Sequence, residues 1–373
     1  MSVLNTRPVL RWLVPVAAAA TVIGGGAAIG TFAAEAEPSL PPRTAAQLLV
    51  DLQTSQLEGL SGTVVQRADL GLPPIAGLVG GGNDLTALVT GTHTLRVWYS
   101  GPDRQRVALL DTLGEKDVIR NGRDVWTWDS RSNAATHHTL GADAAGKPGA
   151  HDSDAAAPVT PQEAADKALA AIDPTTAVSV GRAATVAGRD AYELVLEPRD
   201  KASLVHQLRI AIDAREHVPL RFEVFATGSD QPAFEVAFTQ VTLSRPDADQ
   251  FSFNPPPGAT VKEETADRPA GPTRQPTTAE QPQLRTVGTG WTTVLVARTD
   301  AAGAKDGAKG ATGATGPAGG EFAGALGSLP AVRGDWGSGR LLTGKLFSVL
   351  LTDDGRVLAG AVTPERLYEV ARG

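Results

Sequence analysis

The stretch V-I-R-N-G-R-D-V-W-T-W, residues 118–128, decides the reading of the fold. Val118–Ile119 and Val125–Trp128 are short runs of strand-forming residues, separated by Asn121-Gly122-Arg123-Asp124. An Asn-Gly step between such runs signals a β-hairpin, because the tight turn needs a positive φ that glycine adopts without a Cβ clash. Trp126 and Trp128 stand two residues apart and so share one face of that hairpin.

The same period continues on both sides. In T-L-R-V-W-Y (94–99), Leu95, Val97 and Tyr99 alternate with Thr94, Arg96 and Trp98, the pattern of a half-buried strand. Gln105–Leu110 follows after a Gly-Pro-Asp turn, and Thr63–Arg67, with Val64 on its apolar parity, reads as an earlier strand. Downstream come Val178–Val186 and Tyr192–Leu196, the latter carrying Leu194, joined around Ala187-Gly188-Arg189. Three further alternating runs are Leu208/Ile210/Ile212, Leu220/Phe222/Val224 and Phe234/Val236/Phe238. Many antiparallel strands joined by tight turns indicate a meandering sheet or open barrel.

Two helices accompany the strands. Thr44 is placed to cap a helix reaching about Gln56, with Leu48, Leu49 and Leu52 at helical spacing. Thr160, Pro161 and Glu163 form a capping box that opens a second helix to Ile172. Residues 69–92 are apolar but broken by Gly and Pro, either a flap over the sheet or an ordinary loop with anchoring leucines. Residues 141–158 are a polar spacer.

A Pro/Thr/Gln/Glu-rich stretch, 262–289, reads as a linker between domain 44–261 and a small module, 290–373. That module holds a strand at Trp291–Arg298, a Gly/Ala-rich flexible loop at 301–328, a hairpin pairing Leu346–Leu351 with Val357–Val362, and a helix from Thr363-Pro364 to Ala371. At the other end, Arg7 and Arg11 precede an uncharged run from Trp12 to Ala34. Residues 1–34 fit a cleaved signal peptide or a retained anchor, and 35–43 a Pro-rich tether. Either reading exports the chain, to the periplasm or the outer face of the cell membrane.

Composition removes several classes of function. The chain of 373 residues has no cysteine, so thiolate catalysis, disulfides, zinc ribbons and iron–sulfur clusters are excluded. A net charge of −7 without a basic face argues against nucleic acid. None of the six histidines has metal-ligand spacing; His137 and His138 are adjacent, which on a strand points them to opposite faces. Gly337-Ser338-Gly339 lacks the frame of a nucleophile elbow, and no phosphate-binding glycine loop follows a strand. The sequence supports no enzyme and no cofactor.

Apolar excess on the strands is what remains. A curved sheet with too few helices to cover it leaves an apolar cavity, the usual form of a ligand site. Two helices and the 69–92 segment are equally able to fill it.

The segments resemble the bacterial outer-membrane lipoprotein carrier (LolA-type) superfamily, which includes the N-terminal domain of the RseB/MucB sigma-factor regulatory proteins. The resemblance is carried by L-S-G-T-V-V-Q (60–66), R-N-G-R-D-V-W-T-W-D (120–129), V-A-G-R-D-A-Y-E-L-V-L-E-P (186–198), I-A-I-D-A-R-E-H-V-P-L-R-F-E-V (210–224) and F-S-F-N-P-P-P-G-A-T-V (251–261), in that order. It implies an α+β chain: a half-open curved antiparallel β-barrel with a helical lid, plus a small C-terminal α+β domain. V-L-A-G-A-V-T-P-E-R-L-Y-E-V-A (357–371) is similar to the second domain of those regulators. The implied function is to hold lipid acyl chains or a lipoprotein; the alternative is a regulator that senses lipoproteins or binds an anti-sigma factor or other membrane protein. Val64, Leu95, Val97, Tyr99, Trp126, Trp128, Leu194, Leu208, Ile210, Ile212, Phe222, Val224 and Phe238 are the candidate cavity lining.

Overall fold

The computed structural model describes residues 38–55, 57–72, 90–112, 114–141, 160–161, 165, 172–264, 285–298 and 329–373. The expected leader, most of the 69–92 segment, all but the first residue of the 141–158 spacer, most of the second helix, most of the 262–289 linker and the 301–328 loop lie outside them.

The first sheet is built from β1 (Leu60–Ala68), β2 (Gly91–Tyr99), β3 (Arg104–Asp111), β4 (Gly114–Asn121), β5 (Asp124–Asp129), β6 (Ala134–Thr139), β7 (Thr176–Val180), β8 (Ala184–Val186), β9 (Arg189–Pro198), β10 (Val205–Asp213), β11 (Pro219–Ala226), β12 (Pro232–Thr242) and β13 (Thr260–Glu264). Its order is β13-β6-β5-β4-β3-β2-β1-β12-β11-β10-β9-β7, with β8 also on β9. All pairings are antiparallel except that of β13 on β6. The sheet is curved and open: β13 and β7 are its two edges. Two meanders, β2–β6 and β9–β12, are joined through β1, which pairs with β2 on one side and β12 on the other.

Local chemistry explains the turns. The hairpin between β4 and β5 pairs Asn121 with Asp124, and Gly122 sits at φ +65°. The run 178–186 is two strands, β7 and β8, separated by Gly181. At Gly62 the sheet closes tightly: a Cβ there would stand 2.4 Å from the carbonyl oxygen of Gln240 and 2.9 Å from the Phe238 ring.

Helix α1 (Ala45–Thr54) begins at Thr44, whose Oγ1 accepts from the Gln47 backbone N–H while Gln47 Oε1 accepts from the Thr44 N–H. It lies against β7 and β9 and buries Leu48 and Leu52 in the sheet's inner face. Pro161 and Ala165 are helical, and Ala165 is buried in the same core.

The second sheet comprises β14 (Arg285–Val287), β15 (Val294–Arg298), β16 (Ala331–Gly334), β17 (Gly337–Thr343), β18 (Ser348–Thr352) and β19 (Arg356–Gly360), ordered β14-β15-β19-β18-β17-β16. Helix α2 (Pro364–Arg372), with proline in its first turn, packs Leu367 and Ala371 onto Val294, Leu350 and Leu358. Trp336 stacks on Tyr368 with centroids 5.3 Å apart.

The two sheets touch directly. Ser203 and Val362 form a β-bridge flanked by Leu204 N–H to Ala361 O and Thr363 N–H to Ala202 O, both 2.9 Å. Trp291 Nε1 donates to Thr176 Oγ1 at 2.8 Å, and Lys345 Nζ meets Asp69 at 2.6 Å.

Candidate functional site

Cross-strand partners share a face, so register sorts the candidate residues. Val64 lies opposite Leu95 and Phe238; Phe222 opposite Ile210, Ile210 opposite Leu194, and Leu208 opposite Val224. These residues, with Val97 and Ile212, are brought together on the inner face in one cluster. Leu48 and Leu52 of α1 pack into it. Val64, Leu95, Leu194, Ile210 and Ile212 are fully buried, and only Val224 of the ten remains partly accessible. This end of the inner wall is therefore filled by the protein's own side chains.

The filling fades toward β5. Val97 is opposite Val107, and Val107 opposite Val118, so the same face continues onto β4, where Val118 stands between Lys116 and Arg120. Leu109, opposite Leu95, belongs to it, as does Val125, opposite Arg120. Val107, Leu109, Val118 and Val125 are all half-buried, and so is Tyr99 at the end of β2. Arg120, side chain 1% exposed, borders this surface and donates from Nε to Gly122 O at 3.2 Å. Sequence reasoning did not single out Val107, Leu109, Val118 or Val125, although their strands alternate visibly.

Trp126 and Trp128 do not belong to this wall. Trp126 is opposite Ile119 and His137, and Trp128 opposite Asp117 and Ala135, all of the other parity. They sit on the outer face, where Phe253 meets them at centroid distances of 5.3 and 5.8 Å and His137 stacks on Trp126 at 4.3 Å. The candidate lining is corrected accordingly: spacing within one hairpin shows that the two rings share a face, and only register shows which. A cleft of about 520 Å³ opens beside Trp128 and Phe253, edged by Arg106, Glu115 and Asp117. Arg106 Nε binds Asp117 at 2.9 Å, while burial and the neighbouring Asp117 push Glu115 above the ordinary carboxylate range.

The outer face of the other meander carries charge. Glu193 receives Arg221 at 3.1 Å, and Arg67 pairs with Glu235 at 2.9 Å. Burial raises the pKa of Glu223 despite Arg221 alongside. At the strand end, Asp213 accepts from Arg189 and from the N–H groups of Arg215 and Glu216. Burial opposes its ionisation, but these donors win and hold it below the usual carboxylate range.

No group of three or more potential metal ligands is found among the described residues. No helix among them is long and apolar enough to cross a membrane; residues 12–34 lie outside that set.

An open, curved, largely antiparallel sheet with few helices, not closed into a barrel, defines a half-barrel fold. Residues 89–257 match the family model of the MucB/RseB N-terminal domain, the relation expected from the motifs. The solved MucA/MucB complex of Pseudomonas aeruginosa is similar at 18% identity and TM-score 0.42, covering 88% of this chain and 96% of that one. A LolA superfamily protein from Nitrosomonas europaea is similar at 11% identity and TM-score 0.23, over 57% of this chain and 99% of that one. No curated protein matches the chain in sequence.

Proposed function

We propose that the protein is an extracytoplasmic binding protein, without catalytic activity, that receives an acylated ligand on the inner face of its first sheet along β2–β5. The observation that carries this reading is the change of burial along one face of the sheet, apolar on β1–β3 and β9–β12 and interrupted on β4 by Lys116 and Arg120. That face is sealed by α1 near β9 and left half-accessible at Tyr99, Val107, Leu109, Val118 and Val125. Transfer of an acyl chain to such a wall contributes about 0.8 kcal/mol per CH₂, so a chain of ordinary length binds without a polar trap. The uncharged run after Arg7 and Arg11 supports export. Native mass spectrometry of the purified protein, with a fluorescent fatty-acid titration, tests the reading. Co-purified lipid and saturable probe binding are expected; their joint absence refutes acyl binding.

A second reading is a MucB/RseB-like regulator that binds an anti-sigma factor. It is favoured by the family match over 89–257 and by the second sheet, which is hydrogen-bonded to the first. An adjacent sigma/anti-sigma gene pair, with co-purification of its extracytoplasmic segment, is the expected sign.

A further inference from the structure

The second sheet holds a cleft of about 550 Å³, apart from the inner face of the first sheet. It lies between α2 and the β14–β15 edge, with Val296 and Val370 in its lining and Arg285, Arg298, Arg356 and Arg366 around it. Four guanidinium groups in one cleft are notable in a chain of net charge −7, since general basicity does not account for them. Two of them are held in place. Arg356 binds both carboxylate oxygens of Asp354, at 2.8 and 3.1 Å, and donates to Ala371 O at 2.7 Å. Arg366 binds Glu369 at 3.0 Å and lies against the end of β14, where a Cβ on Gly288 would be 3.3 Å from its Nη2.

The other two are not accounted for by the described residues. Arg298 stands directly opposite Arg356 across β15 and β19, and the Asp354 carboxylate is taken up by Arg356. Arg285 and Arg298 are exposed and have no ion-pair partner among the described residues. Capping of the α2 C-terminus accounts for Arg356 but for neither of these.

We propose that this cleft binds a phosphate-type oxoanion carried on a larger body. Guanidinium forks match phosphate oxygens in pairs, and the anion supplies acceptors to the exposed Arg285 and Arg298. The valines pack against the remainder of the ligand. The site is independent of acyl binding on the first sheet.

Two probes applied to the full chain separate the sources of such a group: pyrophosphate by calorimetry, and vesicles of phosphatidylglycerol against phosphatidylcholine by co-sedimentation. The double variant Arg285→Gln/Arg298→Gln should weaken binding at least tenfold, while Arg67→Gln, on the first sheet, leaves it unchanged. Both cleft positions are exposed, and a thermal melt verifies the fold; single variants serve if the double variant melts early. Pyrophosphate binding lost in the variant supports a soluble phosphate ligand. Binding confined to phosphatidylglycerol vesicles, and lost in the variant, supports a lipid headgroup. Binding of neither probe, binding of poly-glutamate alone, or wild-type affinity in a folded double variant overturns the proposal.

Discussion

Arg189 and Asp213 meet at the ends of β9 and β10 through two hydrogen bonds, Nε to Oδ2 at 2.5 Å and Nη2 to Oδ1 at 3.0 Å. The Asp213 side chain is 2% exposed and also accepts the Arg215 and Glu216 N–H groups, so one carboxylate fixes both a strand pair and the turn that follows. Removing one member of such a pair costs about 3 kcal/mol. Arg189→Met is expected to lower unfolding stability by that amount, read from urea titration. A loss below about 1 kcal/mol would place the pair among ordinary surface ion pairs.

The same contact sets a pH dependence. The folded-state pKa of Asp213 is lowered, so its contribution is present above the unfolded value of about 3.9 and is lost as pH falls through the folded value. Asp213→Asn should therefore flatten the acid limb of the stability curve. An unchanged acid limb would mean the turn donors do not favour the charged form.

Leu48 is fully buried where α1 meets the sealed end of the inner wall. Leu48→Ala should cost about 3 kcal/mol and, by opening space beside the wall, increase fatty-acid probe binding. Loss of stability with unchanged probe affinity would separate the helix from the binding surface.

Val118 and Trp128 occupy adjacent strands but opposite faces. Val118→Asp should abolish probe binding in a folded protein, whereas Trp128→Asp should leave it intact. The reverse result would move the binding site to the outer-face cleft beside Phe253.

Trp291 ties the second sheet to the first through Thr176. Trp291→Phe keeps an aromatic ring, though a smaller one, and removes the donor, with an expected cost of at least about 1 kcal/mol. Differential scanning calorimetry should show the loss as a lower midpoint or as separation of the transition into two.

Strand identity was legible wherever alternation was clean, as in 94–99 and 208–224, because period two follows from the pleat itself. Helix α1 was legible from Thr44 and the leucines behind it. The turn at 248–253 was not: Phe251 is buried and Phe253 packs on Trp126 and Trp128, a cover supplied by a segment more than a hundred residues away in sequence. At that distance in sequence, spacing alone does not show which wall the two tryptophans face. Parity is a local property, whereas the identity of the covered face depends on what returns to cover it. The parallel pairing of Thr260–Glu264 with Ala134–His138 likewise carries no local signal, since β13 is exposed along its whole length.

The position of β1 has a consequence for the order of assembly. Val64 lies between Leu95 and Phe238, so a strand synthesised early waits for a neighbour synthesised some 170 residues later. Until β12 arrives, one side of β1 offers unpaired amides and carbonyls to any passing extended chain, and long-range closure of this kind is slow. The nascent protein is thus most vulnerable to misassociation at the seam that later unites its two meanders, and a shielding factor acting before that closure would raise its yield.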